Sequence, residues 1–293
     1  MGQSRRTGDL PGLSGYGAAV PELPEVETIR RHLEPVLTGR RLVQVEIRHP
    51  RTARRNIHPQ DVVNRLTGAV VEGIRRHGKF LFGSLDNGMT WVTHLGMSGR
   101  MSVAPPNETR PKHTHFTALT DQGDEVRLID PRTFGFVAVV TPDELARFTD
   151  LGPDALTGLP RASALGRALA RRTAPVKSLL LDQRFLAGLG NIYADEVLHR
   201  AGVRPTRPGG GLSAEEVKSI RHAVKPILTA GIAAGGTSLG DLAYLLPDGG
   251  AGDYLRRLRV YGREGDHCRR CGTVIERIVI GGRSSFYCPG CQK

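Results

Sequence analysis

Pro21-Glu22-Leu23-Pro24-Glu25-Val26-Glu27 places proline beside two carboxylates at the mouth of a helix. Taken alone it is an ordinary helix start, since proline in a first turn costs no hydrogen bond and glutamate there offsets the helix dipole. Behind it Val26, Ile29, Leu33, Val36 and Leu37 recur at helical spacing, and Gly39 ends the pattern. The chain then changes period. Runs of strand type follow at 42–47, 69–74, 79–85, 90–94, 115–119, 126–129 and 136–140, parted by turn signals such as Asp86-Asn87-Gly88 and Asp121-Gln122-Gly123. Short consecutive strands with no helices between them call for an antiparallel β-sandwich, not a doubly wound sheet. Residues 21–140 are therefore expected to form a first domain, a sandwich flanked by the opening helix.

A second pattern begins at Thr141-Pro142-Asp143-Glu144, a capping box with proline at the first helical position. Helices are predicted at 142–149, 162–171, 175–182, 191–201 and 213–233, the last capped by Ser213 with Glu216 three residues on and kinked by Pro226. Residues 141–257 read as an all-α domain, and a short β-type tail, 258–293, carries every cysteine. The fold class is α+β. Residues 1–20 hold no periodicity and no apolar stretch of a secretory signal, so this segment is expected to be disordered, removed or never made.

Hydrophobic residues make up 39% of the 293, which suits a globular protein of two domains that needs no disulfide staples. No apolar run approaches the roughly 18–20 residues of a membrane span. Lys and Arg number 41 against 29 Asp and Glu, a net +12 that favours a polyanionic partner through counterion release. A merely basic protein would show the same total, but the arginines cluster: Arg51, Arg54 and Arg55; Arg171 and Arg172; Arg256, Arg257, Arg259 and Arg263. Several basic loops spread along the chain suit a surface that follows a phosphate backbone.

Cys268-x2-Cys271-x16-Cys288-x2-Cys291 uses all four cysteines. Two CxxC pairs at this spacing match a four-thiolate zinc ribbon, each pair on a tight turn so that the sulfurs converge. The competing reading is two disulfides, which neither the absence of a secretory signal nor the length of the chain supports. Four thiolates leave no open coordination position, so one Zn2+ here is structural and cannot activate water. Arg277 and Arg283 lie between the pairs, on what should be a hairpin arm suited to phosphate contact; a solvated surface arginine is the plain alternative.

Together with Pro21–Glu27, this tail resembles the formamidopyrimidine-DNA glycosylase family. Four further blocks agree in order: His94-Leu95-Gly96-Met97-Ser98-Gly99, Asp130-Pro131-Arg132-Thr133-Phe134-Gly135, Gly188-Leu189-Gly190-Asn191-Ile192-Tyr193-Ala194 and Val260-Tyr261-Gly262-Arg263. The resemblance implies a β-sandwich, a helix–two-turns–helix domain and a zinc finger. It also implies excision of oxidised purines such as 8-oxoguanine and formamidopyrimidines from double-stranded DNA, followed by β,δ-elimination at the abasic site. Pro21 matches the N-terminal proline whose amine attacks the sugar, Glu22 the acid that protonates sugar ring or leaving group, and Glu25 a carboxylate beside the same centre. Lys79, in Gly78-Lys79-Phe80, matches the phosphate-holding proton donor of β-elimination, with a purely electrostatic role as its alternative. Arg283 matches the zinc-finger arginine assigned to δ-elimination. His113, Arg132, Arg172, Lys177 and Asn191 fall where the family touches phosphates, and Met97, Arg132 and Phe134 match side chains that fill the gap left by an extruded nucleotide. As isolated residues, Met97 and Phe134 would belong to the core. A monomer in the bacterial cytoplasm, associated with the nucleoid, is the implied setting.

Two departures stand out. Thr133 occupies a place where many relatives carry a basic residue. Pro21, as position 21, has an amide nitrogen and no nucleophilic lone pair. Val20 suggests a GUG start codon read as internal valine, from which initiation would leave proline first after methionine removal; the alternative is cleavage of the extension. Two other functions compete: an endonuclease VIII-type glycosylase for oxidised pyrimidines, and a DNA-binding relative whose amine is blocked.

Overall fold

The computed structural model describes residues 21–238 and 245–293, so the N-terminal extension singled out above lies outside the described residues. Helix α1 (Leu23–Leu37) has Pro24 in its first turn, and the Glu25 carboxylate accepts from the Glu22 backbone N–H at 3.0 Å. Its two ends belong to different cores. Leu23 is buried among residues of the helical region, whereas Val26, Ile29, Leu33 and Leu37 pack on the sheet.

The sheet comprises β1 (Arg40–Ile47), β2 (Val70–His77), β3 (Phe80–Leu85), β4 (Thr90–His94), β5 (Arg100–Ala104), β6 (Thr114–Thr120), β7 (Glu125–Ile129) and β8 (Phe136–Val140). Its order is β5-β7-β6-β1-β2-β3-β4-β8, antiparallel throughout. Strand β1 is where it folds over. Arg40 and Arg41 pair with β2, the register shifts between Leu42 and Gln44, and the remainder pairs with β6. Such a bulge bends a strand, and the two halves then share one core, with Trp91 of β4 and Phe116 of β6 at 5.4 Å between ring centroids. All seven expected strands are present, with ends shifted by up to a few residues. The short edge strand β5 and helix α2 (Pro59–Leu66) add to them. Helix α2 had a legible signal: Pro59 and Asp61 in a first turn, then Val62 and Leu66 four apart and both buried.

The helical region contains α3 (Pro142–Leu145), α4 (Ala162–Leu169), α5 (Val176–Leu181), α6 (Asn191–Ala201) and α7 (Ala214–Ala233). The helix expected at 142–149 is one α turn that tightens into a 3-10 turn at Ala146–Phe148. Pro226 sits inside α7 on its exposed side without ending it. Tyr193, Val197 and Leu198 of α6 pack against Ile220, Val224 and Leu228 of α7, with Leu23 of α1 in the same cluster. The tail folds as a hairpin, β9 (Glu276–Ile280) and β10 (Arg283–Tyr287), turning through Gly281 and Gly282.

Candidate active site and nucleic-acid interface

The first turn of a helix offers backbone N–H groups with no intrahelical partner and a positive dipole end. Helix α6 turns these toward Glu22, whose carboxylate accepts from Gly190 N at 2.7 Å, Ile192 N at 2.8 Å and Tyr193 N at 3.2 Å. Position 190 must be glycine for this approach, since a Cβ there would lie 2.3 Å from the Glu22 carboxyl carbon. Burial pushes the Glu22 carboxyl above its ordinary range, while the Lys79 charge and the three amides pull it back. Pro21, immediately before it, is buried as well.

Glu25 lies one turn on. It accepts from Tyr193 Oη at 2.8 Å and Thr237 N at 2.7 Å, in addition to Glu22 N. Burial, then the Glu22 charge, pushes its carboxyl from 4.5 to about 7. A carboxyl whose folded pKa is raised stabilises the fold fully below pH 4.5, and that contribution is lost as pH rises to about 7. Wild type should therefore lose Tm across this window relative to Glu25→Gln; melting curves that stay parallel from pH 4.5 to 7 would contradict the assignment.

Lys79 projects from the turn joining β2 to β3. That turn is pinned to the helical region, because Asp154 accepts from Gly78 N at 2.8 Å and pairs with Arg76 at 2.5 Å. The half-buried Lys79 amine makes no hydrogen bond among the described residues. Burial lowers its pKa, the neighbouring Glu22 raises it and Arg283 lowers it, so Lys79, Glu22 and Arg283 feel one another's charge. His94, in the His94–Gly99 motif, joins the site as well. Burial, then the charges of Lys79, Arg54 and Arg55, pushes it down to about 4, and its Nδ1 lies 3.0 Å from Gly96 N, the donor to it. It stands beside the lysine as a neutral imidazole.

Met97 is half-buried, and Phe134 is 37% exposed with the Arg132 guanidinium 4.8 Å over its ring. His113 is partly exposed and Arg172 exposed. Lys177 differs from what was expected of it. It is fully buried, 2.7 Å from Asp195, and donates to Ser284 O at 3.0 Å, a bond that Asn191 Nδ2 duplicates at 3.0 Å. Both side chains thus grip the carbonyl next to Arg283, and Lys177 offers no charge at the surface; a buried ammonium needs such a partner. Phe286 N donates to Asp195 at 2.9 Å, which completes the attachment of β10 to α6.

The four cysteines converge without forming disulfides. Cys271 and Cys288 sulfurs lie 3.4 Å apart, Cys271 and Cys291 3.4 Å, and Cys268 and Cys291 3.8 Å. A tetrahedron with Zn–S of about 2.3 Å separates its sulfurs by about 3.8 Å, so the donor set fits one zinc ion, closed and structural. The metal braces the hairpin whose first strand residue after the turn is the exposed Arg283.

A folded-over antiparallel sheet and a helical unit that meet at a buried Pro-Glu pair, with a zinc-braced arginine hairpin alongside, define a three-part protein of the helix–two-turns–helix class. Residues 20–137 match the formamidopyrimidine-DNA glycosylase N-terminal domain, 151–242 its H2TH domain, and 265–293 the zinc finger found in FPG and IleRS. A formamidopyrimidine-DNA glycosylase of Rhizorhabdus wittichii is 46% identical over 277 residues, covering 94% of this chain and 100% of the relative. Among solved structures, a complex of Lactococcus lactis Fpg with abasic-site DNA aligns with TM-score 0.85 and 31% identity over 93% of this chain and all of that one. MutM in complex with carbocyclic 8-oxo-G DNA aligns with TM-score 0.84 at 31% identity, again over 93% of this chain and 100% of the other. The chain belongs to the formamidopyrimidine-DNA glycosylase family.

Proposed function

We propose that this protein is a base-excision DNA glycosylase and abasic-site lyase for oxidised purines, acting as a monomer on nucleoid DNA in a bacterial cytoplasm. The observation that carries the reading is the Glu22 carboxylate, held by three α6 amides directly beside Pro21. With Pro21 as first residue, its secondary amine, of the kind that titrates near 7.7–8.0, is partly neutral at working pH. It attacks the sugar C1′ of an extruded nucleotide, the C1′–N bond breaks, and the base leaves with a proton. Glu22, buried and raised, is the group placed to protonate sugar ring or leaving group, and Glu25 steadies its backbone. The ring opens to an iminium, which acidifies the C2′ proton; its loss expels the 3′ phosphate, and a second elimination expels the 5′ phosphate. Lys79, beside the Glu22 charge and lowered in pKa by burial, suits the proton transfers of the first elimination, and Arg283 at the hairpin tip suits the second. His113, Arg132, Arg172 and Asn191 supply phosphate contacts, and Lys177 acts by holding the hairpin. The domains divide as 21–140, 141–257 and 258–293.

Met97, Arg132 and Phe134 are the wedge, the partly exposed Phe134 being the side chain with least other reason for its place. Phe134→Ala and Met97→Ala should fold yet excise 8-oxoguanine roughly 10- to 100-fold more slowly, with smaller losses on a preformed abasic site. Single-turnover rates on the two duplexes check this, and equal losses would assign both residues to general binding. Wild type assayed on a duplex with an oxidised pyrimidine decides between the purine reading and the endonuclease VIII-type one. A higher kcat/KM on the pyrimidine would overturn the former.

A further inference from the structure

Arg51, Arg54 and Arg55 form a cluster that composition alone assigns to phosphate. Two of them, though exposed, are bonded to the chain itself. Arg51 Nε donates to Thr133 O at 3.2 Å, Arg54 Nη2 to Phe134 O at 2.8 Å and Arg54 Nη1 to Gly135 O at 2.6 Å. Three consecutive carbonyls of one turn are thereby taken. The donors of the same turn are taken from the other side: Asp130 accepts from Gly135 N at 2.6 Å, and Ser98 Oγ, which donates to Asp130 at 2.5 Å, accepts from Arg132 N at 3.2 Å.

This turn needs holding. Thr133 has φ 54, a left-handed conformation that a β-branched residue rarely adopts. Its backbone also presses on position 96, where a Cβ would lie 2.4 Å from the Phe134 carbonyl carbon. The Arg132 guanidinium lies 4.8 Å over the Phe134 ring, and the residue is 37% exposed, so the backbone beneath does much to set the aim of the ring. Arg54 is itself anchored: it follows a 3-10 turn, Pro50–Ala53, whose Thr52 and Ala53 are buried, and Nη1 also donates to Arg51 O at 2.8 Å.

We infer that Arg54, assisted by Arg51, is a positioning residue that grips the Phe134 and Gly135 carbonyls and holds the Phe134 ring at the angle at which it enters the duplex. The inference rests on the wedge reading above. A guanidinium presents two donors in a rigid planar fork and can serve neighbouring carbonyls together, which an ammonium on a flexible stem cannot. Charge alone is therefore insufficient at position 54.

The test uses the chain beginning at Pro21 and compares Arg54→Lys, Arg54→Met, Phe134→Ala and the double variant Arg54→Lys/Phe134→Ala. Substrates are an 8-oxoguanine duplex and the same duplex with a preformed abasic site, each at several salt concentrations. Both Arg54 variants should excise the lesion roughly 10- to 100-fold more slowly, in kcat more than in KM, with little change on the abasic site. The double variant should be no slower than Phe134→Ala alone. Rescue by Arg54→Lys, or equal losses on both substrates with a shallower salt slope, would make Arg54 a phosphate contact and overturn the inference. If Phe134→Ala is selective and Arg54→Lys is not, the inference alone fails; if Phe134→Ala is not selective, the wedge reading fails and takes the inference with it. Should an Arg54 variant melt below assay temperature, Arg51→Gln, which removes the Thr133 bond and one surface charge, must show the same selectivity to a smaller degree, with the salt slope separating the two losses.

Discussion

A chain beginning at Pro21 should cleave 8-oxoguanine DNA and be trapped on it covalently by borohydride, whereas the 293-residue chain with its N-terminus intact should do neither. The amide lone pair of an internal proline is delocalised into its carbonyl, so no iminium can form. Pro21 is buried and stands directly before Glu22, whose carboxylate is held by the amides at the start of α6. Pro21→Gly should retain some trapping through its primary amine. Glu22→Gln should lose base excision by roughly 10²–10⁴-fold and lyase activity less, because departure of the base needs the proton most. Mass-verified forms of both lengths, assayed for product and for the borohydride adduct, decide it. An intact long form as active as the short one would remove Pro21 from the mechanism, as would a short form that binds abasic DNA without being trapped; a long form that is the cell's mature protein and binds without trapping would be the blocked relative.

The second large effect is expected at the metal. Cys288→Ala should lose both zinc and affinity for duplex DNA, with one zinc per chain in wild type. Structural zinc sites couple metal binding to local folding with apparent free energies of about 10–16 kcal/mol. Here the local fold is thin: Val260, Ile275 and Phe286 with the cysteines are nearly the whole core of the finger. Its loss reaches further than the finger, because Ser284 O is the shared acceptor of Lys177 and Asn191 and Phe286 N is a donor to Asp195. Removing β10 therefore leaves a buried ion pair short of two of its partners, a costly state. Zinc content by elemental analysis and DNA binding by titration check the prediction. Full activity after complete metal removal would defeat it.

Much of this is legible in the sequence. The CxxC pairs carry their chemistry in their spacing, and the capping box at Thr141–Glu144 and the helix from Ser213 are signals contained within a few residues. What escaped the sequence was short or interrupted. Strand β5 is a five-residue edge piece, and α2 is barely two turns long. In β5 the period-based evidence is too brief to stand above composition, and in α2 the readable start at Pro59 and Asp61 is followed by too few turns to repeat the pattern.

The sequence by itself determined the order of the longer elements and the zinc donors, because periodicity, capping and ligand spacing are local properties, and its resemblance to a family named the candidate catalytic residues. Only the tertiary structure decided what each polar group faces. Glu22 meets the α6 amides 168 residues away, and Glu25 meets Thr237 212 residues away. Lys177, read as a phosphate contact, is buried against Asp195, while Arg54, read as part of a basic surface, holds the carbonyls of the Phe134 turn. A charged side chain carries no record in its own neighbourhood of which distant donor or acceptor will desolvate it. That partner exists only once the sheet, the helices and the finger have packed.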